Sequence, residues 1–163
     1  MSEQNRSFQV FTITPDYDGF DTLLLLIQDA FATLDRVIDP PSSAGRLTTE
    51  ILHYKAFKET AYGVLCDGEL AGCVFLADKG DHLYLGKLAV GKKFRGLGLA
   101  HLLVETAEKL ARQRAMSHID LQVRIELKDN QHLFTRLGFE VVGETMHPGF
   151  DRVTSLTMRK TLT

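Results

Sequence analysis

The sequence lacks the features that mark several classes of protein. Its 19 basic and 21 acidic residues leave a formal net charge of -2, so no overall positive field attracts nucleic acid or an anionic bilayer. The apolar run at residues 23–27 is far shorter than the roughly 20 residues of a transmembrane helix. Residues 1–5 do not begin a secretory signal. We therefore expect a cytoplasmic protein that binds neither nucleic acid nor membranes, and any phosphate site must be local.

Cysteine is also scarce, with only two in the chain. Asp67-Gly68 lies between Cys66 and Cys73 and predicts a two-residue hairpin that pairs Cys66 with Glu69. In that register the two thiols lie roughly 13 Å apart, which is beyond the reach of a disulfide. The six histidines are scattered without Cys-x-x-Cys or His-x-x-x-His spacing, so the sequence predicts no metal site.

What remains is the composition of an ordinary folded protein. Hydrophobic residues make up 44% and charged residues 25% of the 163 positions, which is enough to build one buried core. The chain contains no internal repeat, low-complexity tract or linker-like stretch. We therefore expect a single domain over residues 1–163.

Short-range patterns predict an α/β fold with a mixed sheet. Leu23, Ile27 and Ala30 recur at helical spacing, with Asp18 or Asp21 as the expected N-cap. The same kind of reading predicts a helix over about 48–58, capped by Thr48 or Thr49, and further helices over about 99–114 and 129–137. It predicts strands over about 8–13, 60–66, 69–77, 82–90, 118–126, 139–146 and 153–160.

A glycine-rich segment, Arg95-Gly96-Leu97-Gly98-Leu99-Ala100, joins the strand at 82–90 to the next helix. Glycines let backbone N–H groups approach a ligand, and a helix N-terminus adds free donors and positive potential, so this segment favours a phosphate or pyrophosphate. The alternative is a tight turn that binds nothing. Two common nucleotide motifs do not fit, because His101 replaces the third glycine of the dinucleotide fingerprint and Leu99 replaces the lysine of the P-loop.

Arg95, Gly98 and Ala100 match the Arg/Gln-x-x-Gly-x-Gly/Ala signature, and in this the chain resembles the GNAT superfamily of acyl-CoA-dependent N-acyltransferases. Residues 134–139, Phe-Thr-Arg-Leu-Gly-Phe, resemble the second landmark of that family, Tyr-x-x-x-Gly-Phe. The order of predicted elements agrees with the family over about residues 8–160. The resemblance implies a mixed, mostly antiparallel central sheet with flanking helices.

The resemblance also implies where acetyl-CoA would bind. In this family a central pair of strands splays apart, and the cofactor lies in the gap with its pyrophosphate on the signature loop. Carried over to this chain, backbone groups of Leu88, Ala89 and Val90 would bind the pantetheine arm. Backbone N–H groups across the signature would hold the diphosphate, from Arg95, Gly96, Leu97, Gly98, Leu99 and Ala100.

One departure from the family pattern bears on the mechanism. The tyrosine thought to protonate the departing CoA thiolate aligns with Phe134, and the asparagine usually found seven residues earlier aligns with Leu127. A tyrosine general acid is therefore excluded at this position, and Phe134 would serve as an apolar wall beside the thioester. Asn130 is expected either to contact the cofactor in place of the missing asparagine or to cap a helix.

The expected reaction is direct attack of a neutral amine on the thioester, with the backbone N–H of Leu88 stabilising the oxyanion. The polar face of the strand at 118–126 carries Arg124 and Glu126, and Glu126 is the leading candidate for the general base. Its alternative role is an ion pair with Arg124 or Lys128. His147 is the second candidate for the base, whereas Tyr84 is expected to be a core residue.

The acceptor is where the sequence gives least information. The resemblance places residues 35–47 and 146–152 around the acceptor. These segments offer both arginines and aspartates, namely Arg36, Arg46, Arg152, Asp39 and Asp151. The first hypothesis is therefore an N-acetyltransferase acting on a primary amine, with a small molecule mildly preferred and homodimerisation possible. The alternative is a non-catalytic module that binds or senses acyl-CoA.

Overall fold

The computed structural model describes residues 6–163, so the prediction about a secretory signal at residues 1–5 lies outside the described residues. Seven strands form one sheet in the order β1-β2-β3-β4-β5-β7-β6. The strands are β1 (Phe8–Thr12), β2 (Thr60–Cys66), β3 (Glu69–Asp78), β4 (His82–Val90), β5 (His118–Arg124), β6 (Glu140–Thr145) and β7 (Ser155–Thr161). The helices are α1 (Phe20–Ala32), α2 (Thr49–Lys58), α3 (Leu99–Gln113) and α4 (Lys128–Arg136).

The sheet is antiparallel everywhere except at one junction. β1 to β4 pair antiparallel in chain order, and β5, β7 and β6 form a second antiparallel group. β4 and β5 join the two groups and run parallel, with α3 as the crossover between them. The predicted α/β class with a mixed, mostly antiparallel sheet is therefore confirmed.

Hydrophobic residues cover both faces of the sheet. On one face α3 buries Leu103, Val104 and Ala107 against strand residues such as Leu83 and Ile119. On the other face α1 and α2 bury a second cluster that includes Leu23, Ile27, Leu52, Cys73 and Phe75. Strands covered on both faces explain why β3 and β4 read as nearly continuous apolar runs.

Several predicted boundaries shift in the structure. The N-cap of α1 is Gly19, so the prediction of Asp18 or Asp21 is wrong, whereas Thr48 caps α2 as predicted by accepting a hydrogen bond from the Ile51 N–H at 3.2 Å. β5 ends at Arg124, because the chain turns there towards α4. The prediction that Glu126 lies on this strand is therefore wrong.

Residues 35–47, whose proline, serine and glycine content predicts a loop, are only partly irregular. Two 3-10 segments occur in this region, Leu34–Arg36 and Ser43–Arg46. The second is capped by Ser42, whose side chain accepts a hydrogen bond from the Ala44 N–H. Within residues 6–163, no helix has the length and apolar character that a membrane crossing requires.

The cysteine prediction is confirmed. Cys66 pairs with Glu69 across the hairpin, and a β-bulge at Val64/Leu65 sets Cys73 opposite Gly63. Both cysteines are free and buried. Burial raises the pKa of the Cys73 thiol to about 12, and its Sγ donates a hydrogen bond to the Lys87 carbonyl at 3.5 Å.

We predict that Cys73 is inert in the folded protein. The reactive species is the thiolate, and a pKa of about 12 leaves almost none of it at pH 8. In a Cys66→Ala variant, which isolates Cys73, labelling by a disulfide reagent should be at least about a thousandfold slower in buffer than in denaturant. Equal labelling rates in the two conditions would contradict the buried position.

Candidate active site

A gap opens between β4 and β5 beyond their short parallel contact. Only three residue pairs join the two strands, from His82↔His118 to Tyr84↔Asp120. β4 then continues to Val90 while bonded to β3, and β5 continues to Arg124 while bonded to β7. β4 and β5 therefore separate from each other, while β4 stays bonded to β3 and β5 stays bonded to β7. The backbone groups of β4 and β5 that face the gap are free to bind a ligand.

A β-bulge lies on the β4 side of this gap. The register moves from Phe75↔Gly86 to Cys73↔Ala89, so Lys87 and Leu88 together oppose one residue of β3. Lys87 has φ 51°, a left-handed conformation that is rare for a residue with a side chain. Bulges increase local twist and re-aim side chains. This one marks the beginning of the segment Leu88, Ala89 and Val90, in which Ala89 is buried and its neighbours are half-buried.

The glycine-rich segment forms the turn from β4 into α3. A 3-10 turn at Lys92–Phe94 is followed by Arg95, and Gly96 and Gly98 then adopt φ of 79° and 82°. A Cβ built on either glycine would meet no atom within 4 Å, so the turn is open on its outer side. Gly98 is the N-cap of α3, and no side chain caps that helix.

The charge around this turn is positive and only partly neutralised. The Nζ of Lys93 pairs with Glu69 at 2.6 Å and that of Lys92 with Asp29 at 3.9 Å. Arg95 is exposed and has no ion-pair partner among residues 6–163. The dipole of α3 adds to the same potential at its N-terminus. Because the whole chain has a net charge of -2, we expect any phosphate site to depend on local positive charge, and this turn has such charge.

Phe134 lies in the core below α3. It is 8% exposed, and its ring meets that of Phe139 edge to face with centroids 5.8 Å apart. Leu127 is the N-cap of α4, and no side chain caps this helix. The alternative reading of Asn130 as a helix cap is therefore wrong, since it lies inside the first turn.

Gln131 holds the turn between β5 and α4, a role that sequence patterns did not predict. Its Nε2 donates to the carbonyls of Arg124 and Ile125 at 3.0 and 3.1 Å. The turn carries Glu126, so Gln131 fixes the backbone from which that side chain extends.

Glu126 reaches towards the loop that follows α1. Its Oε2 accepts a hydrogen bond from the Asp39 N–H at 3.3 Å and lies 3.9 Å from Nη1 of Arg152. Its Oε1 is buried and has no hydrogen-bond partner within residues 6–163. The expected alternative pairing with Arg124 or Lys128 is replaced by Arg152. One carboxylate oxygen is thus anchored and the other is available.

Two arginines fasten the same loop by its backbone. Arg124 donates through Nη1 to the Pro40 carbonyl and through Nη2 to the Pro41 carbonyl at 3.3 Å. Arg152 donates to the Asp39 carbonyl at 2.9 Å, and its Nη2 lies 3.6 Å from the Asp39 carboxylate. Asp39 and Arg152, expected as separate contacts for an acceptor, are therefore paired with each other. Segments 35–47 and 146–152 meet at the end of β5.

His147 lies at the start of the segment between β6 and β7. Its Nδ1 is hydrogen-bonded to Oγ1 of Thr154, which also accepts from the His147 N–H at 2.9 Å. Burial, followed by the charges of Arg124 and Arg152, lowers the pKa of His147. It is therefore a neutral imidazole near pH 7, held by one nitrogen.

Lys87 is the other polar residue of this region that sequence patterns missed. The bulge turns its side chain towards α1, where Nζ donates to Oγ of Ser43 and lies 5.8 Å from the ring centroid of Phe31. Burial, with smaller contributions from Lys55 and Arg46, lowers its pKa. Tyr84 is half-buried, and burial followed by the charge of Asp120 raises its pKa.

Comparisons with known proteins agree with this architecture. PaiA N-acetyltransferase from Thermoplasma acidophilum, solved in complex with coenzyme A, has a similar structure with TM-score 0.82 and 15% identity, covering 96% of this chain and 99% of that one. The ribosomal-protein-S18-alanine N-acetyltransferase from Escherichia coli gives TM-score 0.69 and 16% identity over 95% and 94% of the two chains. At these identities the likeness concerns the fold.

Nourseothricin acetyltransferase is similar at TM-score 0.59 and 25% identity, and the match covers 64% of this chain and 65% of that one. This chain thus spans about two thirds of that enzyme. A search of curated proteins found no match.

A sequence model described as "Acetyltransferase (GNAT) family" matches residues 28–139, more than half of the chain. The matched range contains the bulged strand, the glycine-rich turn, α3, the end of β5 and the Phe134–Phe139 pair. The chain therefore belongs to the acetyltransferase (GNAT) family and is an enzyme of the acetyltransferase class.

Proposed function

We propose that this protein transfers an acetyl group from acetyl-CoA to a primary amine. The observation that carries the proposal is the continuity of the β4–β5 gap with the open glycine-rich turn. The gap offers unpaired strand backbone to an amide-containing arm, and the turn offers helix N–H groups and positive charge to a diphosphate. A structural neighbour crystallised with coenzyme A supports the same ligand.

In this proposal the backbone of Leu88, Ala89 and Val90 binds the pantetheine arm, as an added strand binds a sheet edge. The diphosphate lies on backbone N–H groups of residues 95–100, with Arg95 as a charged donor. Phe134 supplies an apolar wall beside the thioester. Asn130, on the first turn of α4, is the proposed polar contact in place of the asparagine usual in the family.

The acetyl transfer needs a neutral amine and a stabilised oxyanion. The amine nitrogen forms a bond with the thioester carbon, the N–H of Leu88 stabilises the oxyanion, and the carbon–sulfur bond then breaks. Coenzyme A leaves as a thiolate and needs no general acid to depart, because a thiol has an ordinary pKa of roughly 8.5. The new amide nitrogen releases its excess proton to water. This chemistry suits a site in which phenylalanine replaces tyrosine.

Glu126 is the proposed general base that removes the proton from the acceptor ammonium group, directly or through one water. Its buried, unpartnered Oε1 supports this role, since that oxygen can accept the proton while Oε2 stays anchored to Asp39. His147 is the second candidate, because its lowered pKa keeps its free nitrogen able to accept a proton at neutral pH.

The acceptor is proposed to be a small molecule. The loop at residues 39–41 is fastened over the end of β5, which restricts the acceptor entrance beside Glu126. The Lys87 and Arg124 side chains add positive charge to this region, so a carboxylate on the acceptor would be attracted. We also propose a single domain over residues 1–163, a cytoplasmic setting in keeping with two free cysteines, and the possibility of a homodimer.

The first test is release of free thiol from acetyl-CoA in the presence of amine acceptors, with mass spectrometry of the product. The panel should contain amino acids, polyamines, aminoglycosides, nourseothricin and short peptides with an N-terminal alanine. We expect N-acetylated product from one small-molecule class. Tight coenzyme A binding with no product from any amine would instead support the binding module.

Substitution of Gly98 by glutamate tests the diphosphate site. The added carboxylate would project into the open side of the turn, where it repels the diphosphate, so the Kd for coenzyme A should rise at least about tenfold by calorimetry. Gly80→Glu is the matched control, because Gly80 has φ 94° and an equally open Cβ position in the β3–β4 turn, at the other end of β4. Equal affinity of the two variants would show that the turn does not hold the diphosphate.

Substitution of Glu126 by glutamine tests the base. Glutamine keeps an oxygen that can accept from the Asp39 N–H, so the loop should stay in place while kcat falls about a hundredfold or more. The KM for acetyl-CoA should change less than about twofold. Glu144→Gln, on the exposed side of β6, serves as control. Wild-type kcat in the Glu126→Gln variant would exclude Glu126 as the base.

A further inference from the structure

Two histidines and an aspartate meet where β4 and β5 begin. His82 pairs with His118 across the parallel contact, and Asp120 lies two residues further along β5 on the same side. The Nε2 atoms of His82 and His118 lie 3.9 and 3.7 Å from the two carboxylate oxygens of Asp120. One ligand atom from each residue can be chosen so that all three lie within 4.8 Å of one another.

The other ring nitrogen of each histidine is already held. Nδ1 of His82 is 2.6 Å from Oδ1 of Asp81, and Nδ1 of His118 is 2.6 Å from Oγ of Ser117. The Asp81 carboxylate can only accept, and Oγ of Ser117 already donates to the Asp81 carbonyl at 3.2 Å, so Nδ1 carries the hydrogen in both rings. When neutral, each ring then presents the lone pair of Nε2. Histidine ligands of metals are commonly oriented in this way, by a hydrogen bond from the second nitrogen to a carboxylate or another polar group.

The lone pairs of Nε2 have no counterpart within the described chain. Nε2 of His118 is buried and has no hydrogen-bond partner, and its distance to Asp120 is too long for a hydrogen bond. The lone pair of a neutral imidazole nitrogen is repelled by a carboxylate oxygen that faces it, unless a cation lies between the two atoms. At 3.7–3.9 Å a metal ion can fill that space, whereas a shared proton cannot bridge it.

Arg159 also contacts Asp120 but leaves its carboxylate able to bind an ion. It donates to both oxygens of Asp120, through Nε at 2.7 Å and Nη2 at 3.0 Å. Each carboxylate oxygen has two lone pairs, so one on each oxygen remains after this contact. With Asp81 and Asp120 negative and Arg159 positive, the cluster has a net charge of about -1 when both rings are neutral, which attracts a dication.

We propose that His82, His118 and Asp120 bind a divalent first-row transition metal ion such as Zn²⁺, with water completing the coordination. Imidazole and carboxylate ligands suit these ions. A tetrahedral ion with ligands at about 2.1 Å needs ligand atoms about 3.4 Å apart, so ligand atoms that now lie within 4.8 Å of one another move together by up to about 1.4 Å on binding. The two rings, now stacked at 4.5 Å and 12°, tilt so that both lone pairs converge.

The ion would clamp the only junction between the two halves of the sheet. Its ligands come from both strands of the three-pair parallel contact, at the end away from the gap. Leu88 lies six residues along β4 from His82, so the ion lies roughly 20 Å from the reacting groups. Its role is therefore to stabilise the sheet rather than to take part in acetyl transfer.

The sequence expectation of no metal site came from spacing within short segments. These ligands come from two strands, and sheet pairing alone brings them together. The proposal is independent of the acceptor and of the general base.

Calorimetric titration of the metal-free protein with Zn²⁺ tests the site, with Co²⁺ as a spectroscopic probe. We expect saturable 1:1 binding, a visible Co²⁺ spectrum of low coordination number, and a rise in Tm on adding Zn²⁺. His82→Asn and His118→Asn should each weaken Zn²⁺ binding at least about tenfold. His132→Asn, which alters an exposed histidine on α4, should bind as the wild type does.

Asp81→Asn guards against loss of folding in the histidine variants. The Asp81 side chain is 76% exposed and touches His82 only through Nδ1, so the fold should persist. Asparagine keeps an oxygen that accepts from Nδ1 but removes the negative charge that makes the ring a stronger ligand, so the Zn²⁺ affinity should fall about tenfold. The proposal is overturned if no saturable binding of Zn²⁺ or Co²⁺ occurs, or if binding survives unchanged in the folded His82→Asn and Asp81→Asn variants.

Discussion

Three parallel residue pairs between β4 and β5 hold the two antiparallel halves of the sheet together. Within each half, neighbouring strands stay bonded over most of their length, so the halves behave as units. A parallel connection requires a crossover, and α3 provides it. The helix must begin where β4 ends, which sets its N-terminus at the mouth of the gap. Topology thus places unpaired strand backbone and helix donors side by side.

Much of the fold could be predicted from local patterns, because the forces that decide those elements act over a few residues. The Asp67-Gly68 hairpin, the Thr48 cap and the amphipathic α3 all appear as expected. Where prediction failed, tertiary contacts decided the outcome. Alternation continues past Arg124 in the sequence, but the chain turns there because α4 packs below the sheet and Gln131 binds the turn. Gly19 is the N-cap of α1, although Asp18 and Asp21 are nearby and aspartate is the better capping residue.

The candidate site divides in the same way. The glycine-rich turn has a local signal, since its backbone conformation needs glycine at specific positions. No local signal predicts that the bulge turns Lys87 towards α1, or that Asp39 pairs with Arg152. Each of these contacts joins segments that are distant in sequence. The roles assigned to Glu126, Leu88 and the cofactor contacts remain predictions until the variants are measured.

The loop at residues 39–41, beside the proposed acceptor site, is held mainly by hydrogen bonds to its backbone. Arg124 and Arg152 bind carbonyl oxygens, and Glu126 binds an N–H group, so most of the anchoring uses atoms that other residue types also possess. Side chains of this loop are therefore free to change with little loss of its position. Substitutions in this loop would therefore alter which acceptor the proposed site takes, while the proposed acyl-CoA site at the glycine-rich turn stays intact.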